Sequence, residues 1–552
     1  MKVPSQLPSE SSVQALPGKN KEITVPFWRQ DWFHMTLLIT IAVAAGFLLV
    51  TQYGESVDEE PRIQYGAQSL QAYTSPVQNL EDEKGAFYSM LAYYGAQHLQ
   101  YYIPGWKFID GWHFMNFLAF VISIFFFYRL SRRLIHPVPA LASTLLFATQ
   151  PVIWGHAFIN PKDIPFMAFF LGSVTLGLEM ADHALRAIAA PSFAKTAGYR
   201  LRFAAQPLFW LAGLFLGFAS AIRSLGIASG LLVLVYFLAK SGRKGIGRAL
   251  PYLLVYGLVG ILTTFLLWPY LWSNPVGNFA ASLSKESDYP WIGDTLFGGV
   301  LFDNANIPIS YIPTLLCLQF TEPALFLFAI GLGLAVVSVW KKADQRPDLL
   351  ALGAWVVAPV AAAILLHSTI YNNFRQFLFI VPPLFVVVGL ALQFISEKLK
   401  HRAILFIPLV VLALLPGVYW DIHLHPYQYI YYNSLTGGVS GAFNKYESDY
   451  WTTSNKEVIE YLNHIAPPNS TVYFWSNNST AKQYARPDLK LVENKAKILS
   501  QNRPAGYIVL LGTRPSNQRL FPNSPTIHQI SRDGNLLALI KAIKPGDLTG
   551  LQ

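Results

Sequence analysis

Runs of apolar residues alternate with polar joints along most of this chain, and the runs approach the ~20 residues that cross a bilayer as a helix. They lie at Met35–Val50, Phe114–Tyr128, Ala140–Trp154, Ile164–Met180, Leu208–Ala221, Leu225–Ala239, Leu250–Leu267, Ala324–Trp340, Leu349–Leu366, Phe377–Ile395 and Ala403–Trp420. The pattern predicts an α-helical polytopic membrane protein with about 11 transmembrane helices over residues 34–420. Two of the joints are long, 51–113 and 272–313. In the first, Glu60–Thr74 and Gly85–Tyr101 carry helix-spaced apolar residues such as Ile63, Leu70 and Tyr73, which suits amphipathic helices lying in the interface. After residue 420 the pattern changes. Ser454-Asn455-Lys456-Glu457 reads as a capping box opening a helix toward Ile465, and Thr471–Trp475, Tyr507–Leu511 and Leu536–Ile540 are short β-rich runs. Residues 421–552 therefore predict a small α/β domain outside the membrane. Residues 1–33, with their Pro, Ser and Lys, predict a disordered tail.

Composition agrees with that pattern. The chain is 53% hydrophobic and 13% charged, with a mean hydropathy of +0.34, against about 25% charged residues in soluble domains. Lysine and arginine outnumber the acids 41 to 31, for a formal net charge of +10. Such an excess raises nucleic acid as a partner, but its placement argues against one. With the N-terminus inside, the inner joints hold 21 of these cations and the outer joints 7, the rest lying beyond the last run. That is the positive-inside bias of a multi-pass inner (plasma) membrane protein. It sets the N-terminus in the cytoplasm and puts the first long joint and the C-terminal domain outside. Met35–Val50 then reads as a retained signal anchor. The lone Cys317 excludes an internal disulfide.

Candidate chemistry gathers on the outer side. Asp58, Glu59 and Glu60 follow the first run within a few residues, and two readings stay open. One is a general base that removes a proton from an acceptor hydroxyl; the other is a solvated acidic patch. His156–Pro165 reads as an outer hairpin that places Lys162 and Asp163 at the lip of the bilayer, where charge is costly unless paired or functional. If a divalent cation binds, Asp58 and Asp163 are its candidate ligands; no dedicated metal centre is expected. Arg223 and Arg375 are lone outer cations beside apolar runs, suited to gripping phosphate or, more blandly, to snorkelling. His367, at the outer end of a run, reads as an interfacial residue. The aromatic run His425–Asn433 reads as an interfacial belt, with stacking on a sugar as the alternative. The interiors of the runs hold essentially no charge, which lowers an ion-coupled transport reading.

These residues resemble, in order along the chain, the integral-membrane glycosyltransferases of GT-C fold that use polyprenyl-phosphate sugars. That group includes the protein O-mannosyltransferases and the bacterial aminoarabinose transferases. The resemblance rests on Val57-Asp58-Glu59 with Arg62–Ala67, on Asn160-Pro161-Lys162-Asp163-Ile164-Pro165-Phe166, and on Phe374–Pro383. The tail, from His425-Pro426-Tyr427 to Glu447–Trp451, is similar to bacterial members. It implies an inverting transfer of a hexose or pentose from a carrier such as undecaprenyl phosphate to an acceptor lipid, glycan or protein. Asp58 and Asp163 would match the catalytic carboxylates, and Arg223, Arg375 and Lys162 would hold the donor phosphate. Glu59, Lys84, His156, Asn160 and His367 are the further candidates for contact with substrate. Lys84 stands where the aminoarabinose branch has a first-loop lysine, without that branch's Pro-Pro context. The β-trefoil insert of the protein mannosyltransferases is absent from the sequence. A flippase or transporter of lipid-linked sugar, or a non-catalytic assembly subunit, would keep the same topology and remain as alternatives.

Overall fold

The structure is a computed structural model that describes residues 31–75, 80, 84–189, 206–287, 293–303, 306–500 and 502–547. The tail ahead of residue 31, the inner-joint cations Lys195, Arg200 and Arg202, and Asp288 lie outside the described residues.

Every predicted run falls on a helix. The first is α1 (Asp31–Leu49), followed by the two helices of the first long joint, α2 (Glu59–Gln71) and α3 (Phe87–Tyr102). The bundle continues with α4 (Phe108–Ser131), α5 (Pro137–Ala148), α6 (Pro151–Ile159), α7 (Asp163–Ala189), α8 (Pro207–Ser220) and α9 (Ile227–Leu266). The second long joint holds α10 (Pro275–Ser287), the hairpin β1 (Asp294–Phe297) and β2 (Val300–Asp303), and α11 (Tyr311–Leu318). The last spans are α12 (Glu322–Lys341), α13 (Arg346–Leu365), α14 (Val381–Lys398) and α15 (Phe406–His423). Among the described residues eight helices are long and apolar enough to cross a membrane, or up to nine if the bent pair α5–α6 is one span. The other two predicted spans fall on shorter apolar helices, Pro207–Ser220 and Leu250–Leu266.

The third predicted run is not straight. It breaks after Ala148 and bends by 63° into α6. Pro151 brings no N–H to the turn, so a carbonyl of the preceding turn loses its helical partner. Gln150 repairs the break: its side-chain amide donates to Leu146 C=O at 2.8 Å, and its carbonyl accepts the Thr321 N–H at 3.0 Å. Irregular backbone at this depth survives only when satisfied in this way. The bend also corrects the outer hairpin expected at His156–Pro165. His156–Ile159 are the buried last turns of α6, and only Asn160–Lys162 form the turn before α7.

Charge marks both ends of the bundle. At the end away from the C-terminal domain, Arg133 pairs with Asp182 and Asp348 at 2.7 Å each, and Lys240 joins Asp182 at 2.8 Å. On α7, Asp182 lies 19 residues beyond Asp163, or ~28 Å at 1.5 Å per residue, about one hydrocarbon thickness.

Beyond α15 the chain forms a strap, 424–454, and then α16 (Asn455–Ile465) against a five-stranded sheet. Its strands are β3 (Thr471–Phe474), β4 (Lys490–Val492), β5 (Gly506–Leu511), β6 (Thr526–Arg532) and β7 (Asn535–Ile543), in the order β4-β3-β5-β7-β6. Strand β3 pairs in parallel with β4 and β5, while β7 is antiparallel to its neighbours. The helix predicted from the capping box is present, but the box is not. Glu457 turns instead to Tyr427 (3.0 Å) and Arg532 (2.7 Å). The carboxylate of Asp449 takes the Thr453 and Ser454 N–H groups at 2.9 and 3.2 Å.

The aromatic run is neither a belt nor an open stacking platform. Tyr427, Tyr429, Tyr431 and Tyr432 belong to the strap itself and are buried. Tyr429 donates to Asp449, and Tyr432 donates to Asn373 Oδ1 at 3.0 Å. Contact is close enough to demand glycine at two points. A Cβ on Gly155 of α6 would stand 2.4 Å from the Tyr429 nitrogen, and one on Gly54 would stand 2.3 Å from the Thr453 carbonyl.

Candidate active site

Segments far apart in sequence bring a continuous chain of ions to one end of the bundle. Asp58, just ahead of α2, meets the Lys162 ammonium at 2.8 Å and the Arg375 guanidinium at 3.3 Å, both through Oδ2. The same Arg375 nitrogen lies 3.0 Å from Asp163 Oδ2, and Asp163 Oδ1 lies 3.2 Å from Arg223. Arg223 then grips Glu286 of α10, its Nε at 3.2 and 3.1 Å from the two carboxylate oxygens. Arg375 Nη1 thus stands between the two aspartates and pairs with both. Among the described residues no group of three or more His, Cys, Asp or Glu side chains is placed to hold a metal ion.

Local backbone explains how these groups are presented. Asn160 accepts the Asp163 and Lys162 N–H groups at 2.8 and 3.2 Å, donates to Asp163 Oδ2 at 3.1 Å, and so fixes the first turn of α7. Anions are favoured at a helix N-terminus, and Asp163 sits at that of α7. Arg223 lies in the irregular link between α8 and α9, just ahead of the 3₁₀ turn Ser224–Gly226, and Arg375 opens a 3₁₀ turn, Arg375–Ile380, that runs into α14. Ahead of Arg375, Asn372 and Asn373 take left-handed backbone (φ 55° and 62°), which asparagine accepts more readily than most residues.

The two carboxylates are not equivalent. Asp163 is 5% exposed and engaged by two guanidinium groups and Asn160, whereas Asp58 remains 23% exposed. Burial pushes Asp58 up, but Lys162, Arg375 and Lys84 outweigh it and hold the group below the usual carboxylate range. Burial, followed by repulsion from Lys162, Arg62 and Arg223, draws Lys84 well below the ordinary lysine value. A cleft of about 1290 Å³, open solvent included, lies against the ion chain and is lined by Arg62, Lys84, Lys162, Asp163, Arg223, Lys285, Glu286 and Arg375 among apolar residues of α13 and of the turn Arg375–Ile380. Cations in excess of acids along a partly apolar wall suit an anionic head on a hydrocarbon chain.

Of the sequence candidates, the structure brings Asp58, Lys162, Asp163, Arg223 and Arg375 together and sets Lys84 in the same cleft. His156 and Asn160 lie directly behind Asp163; His156 Nε2 is 3.2 Å from the Tyr450 hydroxyl. Glu59 points away into the interior, accepting from Ser56 N–H and lying 3.1 Å from His113 Nε2. His367 lies apart from the ion chain, exposed and beside a small cavity with Ile307, Tyr311 and Ile364. Sequence reasoning missed Glu286 as the partner of Arg223, and it missed Tyr371 and Trp451, whose rings lie 5.2 and 5.0 Å from the Arg375 guanidinium.

Behind Asp58, the buried Glu55 is pushed up to about 8, first by burial and then by Glu59. Folding therefore keeps a proton on Glu55 that the unfolded chain releases near the ordinary glutamate value of about 4.5. The stability it contributes is whole below that value and is lost as pH rises toward 8. Glu55→Gln, which cannot ionise, is expected to flatten the fall in Tm between about pH 5 and 8. Parallel Tm profiles for the two proteins would refute the assignment.

The apolar helices define a multi-pass membrane protein with a charged cleft at one end of the bundle, and the solved structures it resembles give its fold as GT-C. Among solved structures, the Archaeoglobus fulgidus oligosaccharyltransferase AglB, in complex with an inhibitory peptide and a dolichol-phosphate, aligns with a TM-score of 0.50 at 13% identity. That alignment covers 88% of this chain and 70% of that one. ArnT from Cupriavidus metallidurans in the apo state aligns at 0.47 and 14% identity, covering 93% and 98%. The mycobacterial arabinofuranosyltransferase AftD aligns at 0.41 and 13%, covering 93% and 40%. At these identities the likeness is one of fold. No protein-family model matches the sequence, and no curated protein matches it.

Proposed function

We propose that this protein is an inverting glycosyltransferase that moves a sugar from a polyprenyl-phosphate carrier to an acceptor hydroxyl or phosphate at the outer membrane surface. One observation carries the reading: the partly exposed Asp58 is joined through Arg375 to Asp163 and Arg223, beside a cation-lined cleft at the end of the spans. The carrier phosphate sits against Arg223, Arg375 and Lys162, sharing or displacing the Glu286 carboxylate now on Arg223. The bond between the sugar C1 and the phosphate oxygen breaks, and the electron pair passes to that oxygen. Fixed guanidinium groups stabilise the growing charge. The acceptor oxygen bonds to C1 from the opposite face; a hydroxyl acceptor gives its proton to Asp58, whereas a phosphate acceptor attacks already ionised. The charge bias of the joints sets this end outside an inner (plasma) membrane, with the N-terminus cytoplasmic.

The glycan and lipid mass spectra of deletion and wild-type cells test this reading. The deletion is expected to lose one hexose or pentose from an acceptor and to accumulate its polyprenyl-phosphate sugar on the outer leaflet. Donor trapped on the inner leaflet would instead identify a flippase.

A further inference from the structure

We infer that Trp451 is a positioning residue of this site, holding Arg375 and the Asp58 loop in one arrangement through two different parts of itself. The inference rests on the glycosyltransferase reading only for what the arrangement is used for. Trp451 is fully buried in the strap, and its ring faces the Arg375 guanidinium at 5.0 Å. Its carbonyl accepts the Val57 N–H at 3.3 Å, one residue before Asp58. The neighbouring Tyr450 hydroxyl lies 3.2 Å from His156, which in turn stands behind Asn160 and Asp163. Tyr432 of the same strap holds Asn373, two residues before Arg375. The strap therefore touches each of the segments that present Asp58, Asp163 and Arg375.

Arg375 needs such support. It has two carboxylates to choose between, at 3.0 and 3.3 Å, and without a lateral restraint it can settle on Asp163 alone. The face of an indole attracts a guanidinium more strongly than other rings do, and in a desolvated site that attraction is at its largest. With the ring in place, the guanidinium is held where it reaches both aspartates. The Trp451 carbonyl meanwhile keeps the Asp58 loop from moving away.

The test compares Trp451→Leu and Trp451→Phe in the full-length protein purified in nanodiscs. The probe is undecaprenyl phosphate, and binding is read by native mass spectrometry. Leucine is expected to weaken binding about tenfold, and phenylalanine, which keeps a π-face, to restore most of it. Equal binding by the leucine and phenylalanine proteins overturns the role of the ring. A cycle on Tm without any lipid reads the contact independently of function: Trp451→Leu in an Arg375→Gln background is expected to cost much less than in the wild type. Strictly additive losses would overturn the positioning role even if the carrier binds. A wild-type protein that fails to bind the carrier, with the Tm coupling intact, would sink the proposed reaction while leaving the contact standing.

Discussion

Asp58→Asn is expected to lower transfer on the order of 10³-fold while the protein still inserts and folds, because a positioned general base contributes 10²–10⁴. Asparagine matches the shape of aspartate and can still meet Lys162, but it cannot accept the acceptor proton. The choice of Asp58 over Asp163 follows from access: Asp58 is 23% exposed and Asp163 5%. Because Lys162 and Arg375 hold its carboxyl below the usual range despite burial, Asp58 stays ionised as pH falls through mildly acidic values. An acidic limb in the pH–rate profile should therefore survive from other groups or not appear at all. Asp58→Glu should recover little, since an added methylene shifts the carboxylate by about 1 Å, a displacement that itself costs up to 10²-fold. Transfer measured in membranes from a deletion strain carrying each variant, with expression matched, decides the matter. Near-normal transfer by Asp58→Asn would remove the base from the mechanism.

Much of this site was legible in the chain because membranes constrain sequence severely. Apolar runs mark the helices, and cations on the wrong side of the charge bias stand out, which is how Arg223 and Arg375 were found. Asp58 and Asp163 followed from their nearness to run ends. Pairing was not legible. Glu286 and Arg223 are 63 residues apart and carry no periodic signal. The bend at Gln150 had a signal in Pro151, but the run is apolar on both sides of it and so reads as one span. Tyr427–Tyr432 looked like a belt because burial within a packed strap and residence in an interface favour the same residues. The two strands left out of the C-terminal sheet have plain reasons as well. Strand β4 is three residues long, and β6 shifts register twice against β7, which destroys the alternation that marks a strand.

Arg375→Ala is expected to be the most damaging single change, in stability as well as in chemistry. Arg375 is buried between Asp58 and Asp163, and removing it leaves two carboxylates facing one another without their shared cation. Breaking a buried pair from one side costs about 3–5 kcal/mol, chiefly from the charge left uncompensated. Transfer should fall a further 10²–10³-fold, as it does when one fixed donor to a developing oxyanion is removed. Arg375→Lys restores charge but not the planar fork that reaches both acids, nor the flat contact with the Tyr371 and Trp451 rings, so it should recover stability only in part. The two losses come apart in the double variant Arg375→Met with Asp163→Asn. Removing the partner acid relieves the orphaned charge, so Tm should rise above that of Arg375→Met alone while transfer stays lost. If the double variant melts no higher than the single one, Asp163 does not depend on Arg375 for its charge balance, and the shared-cation account of this site fails.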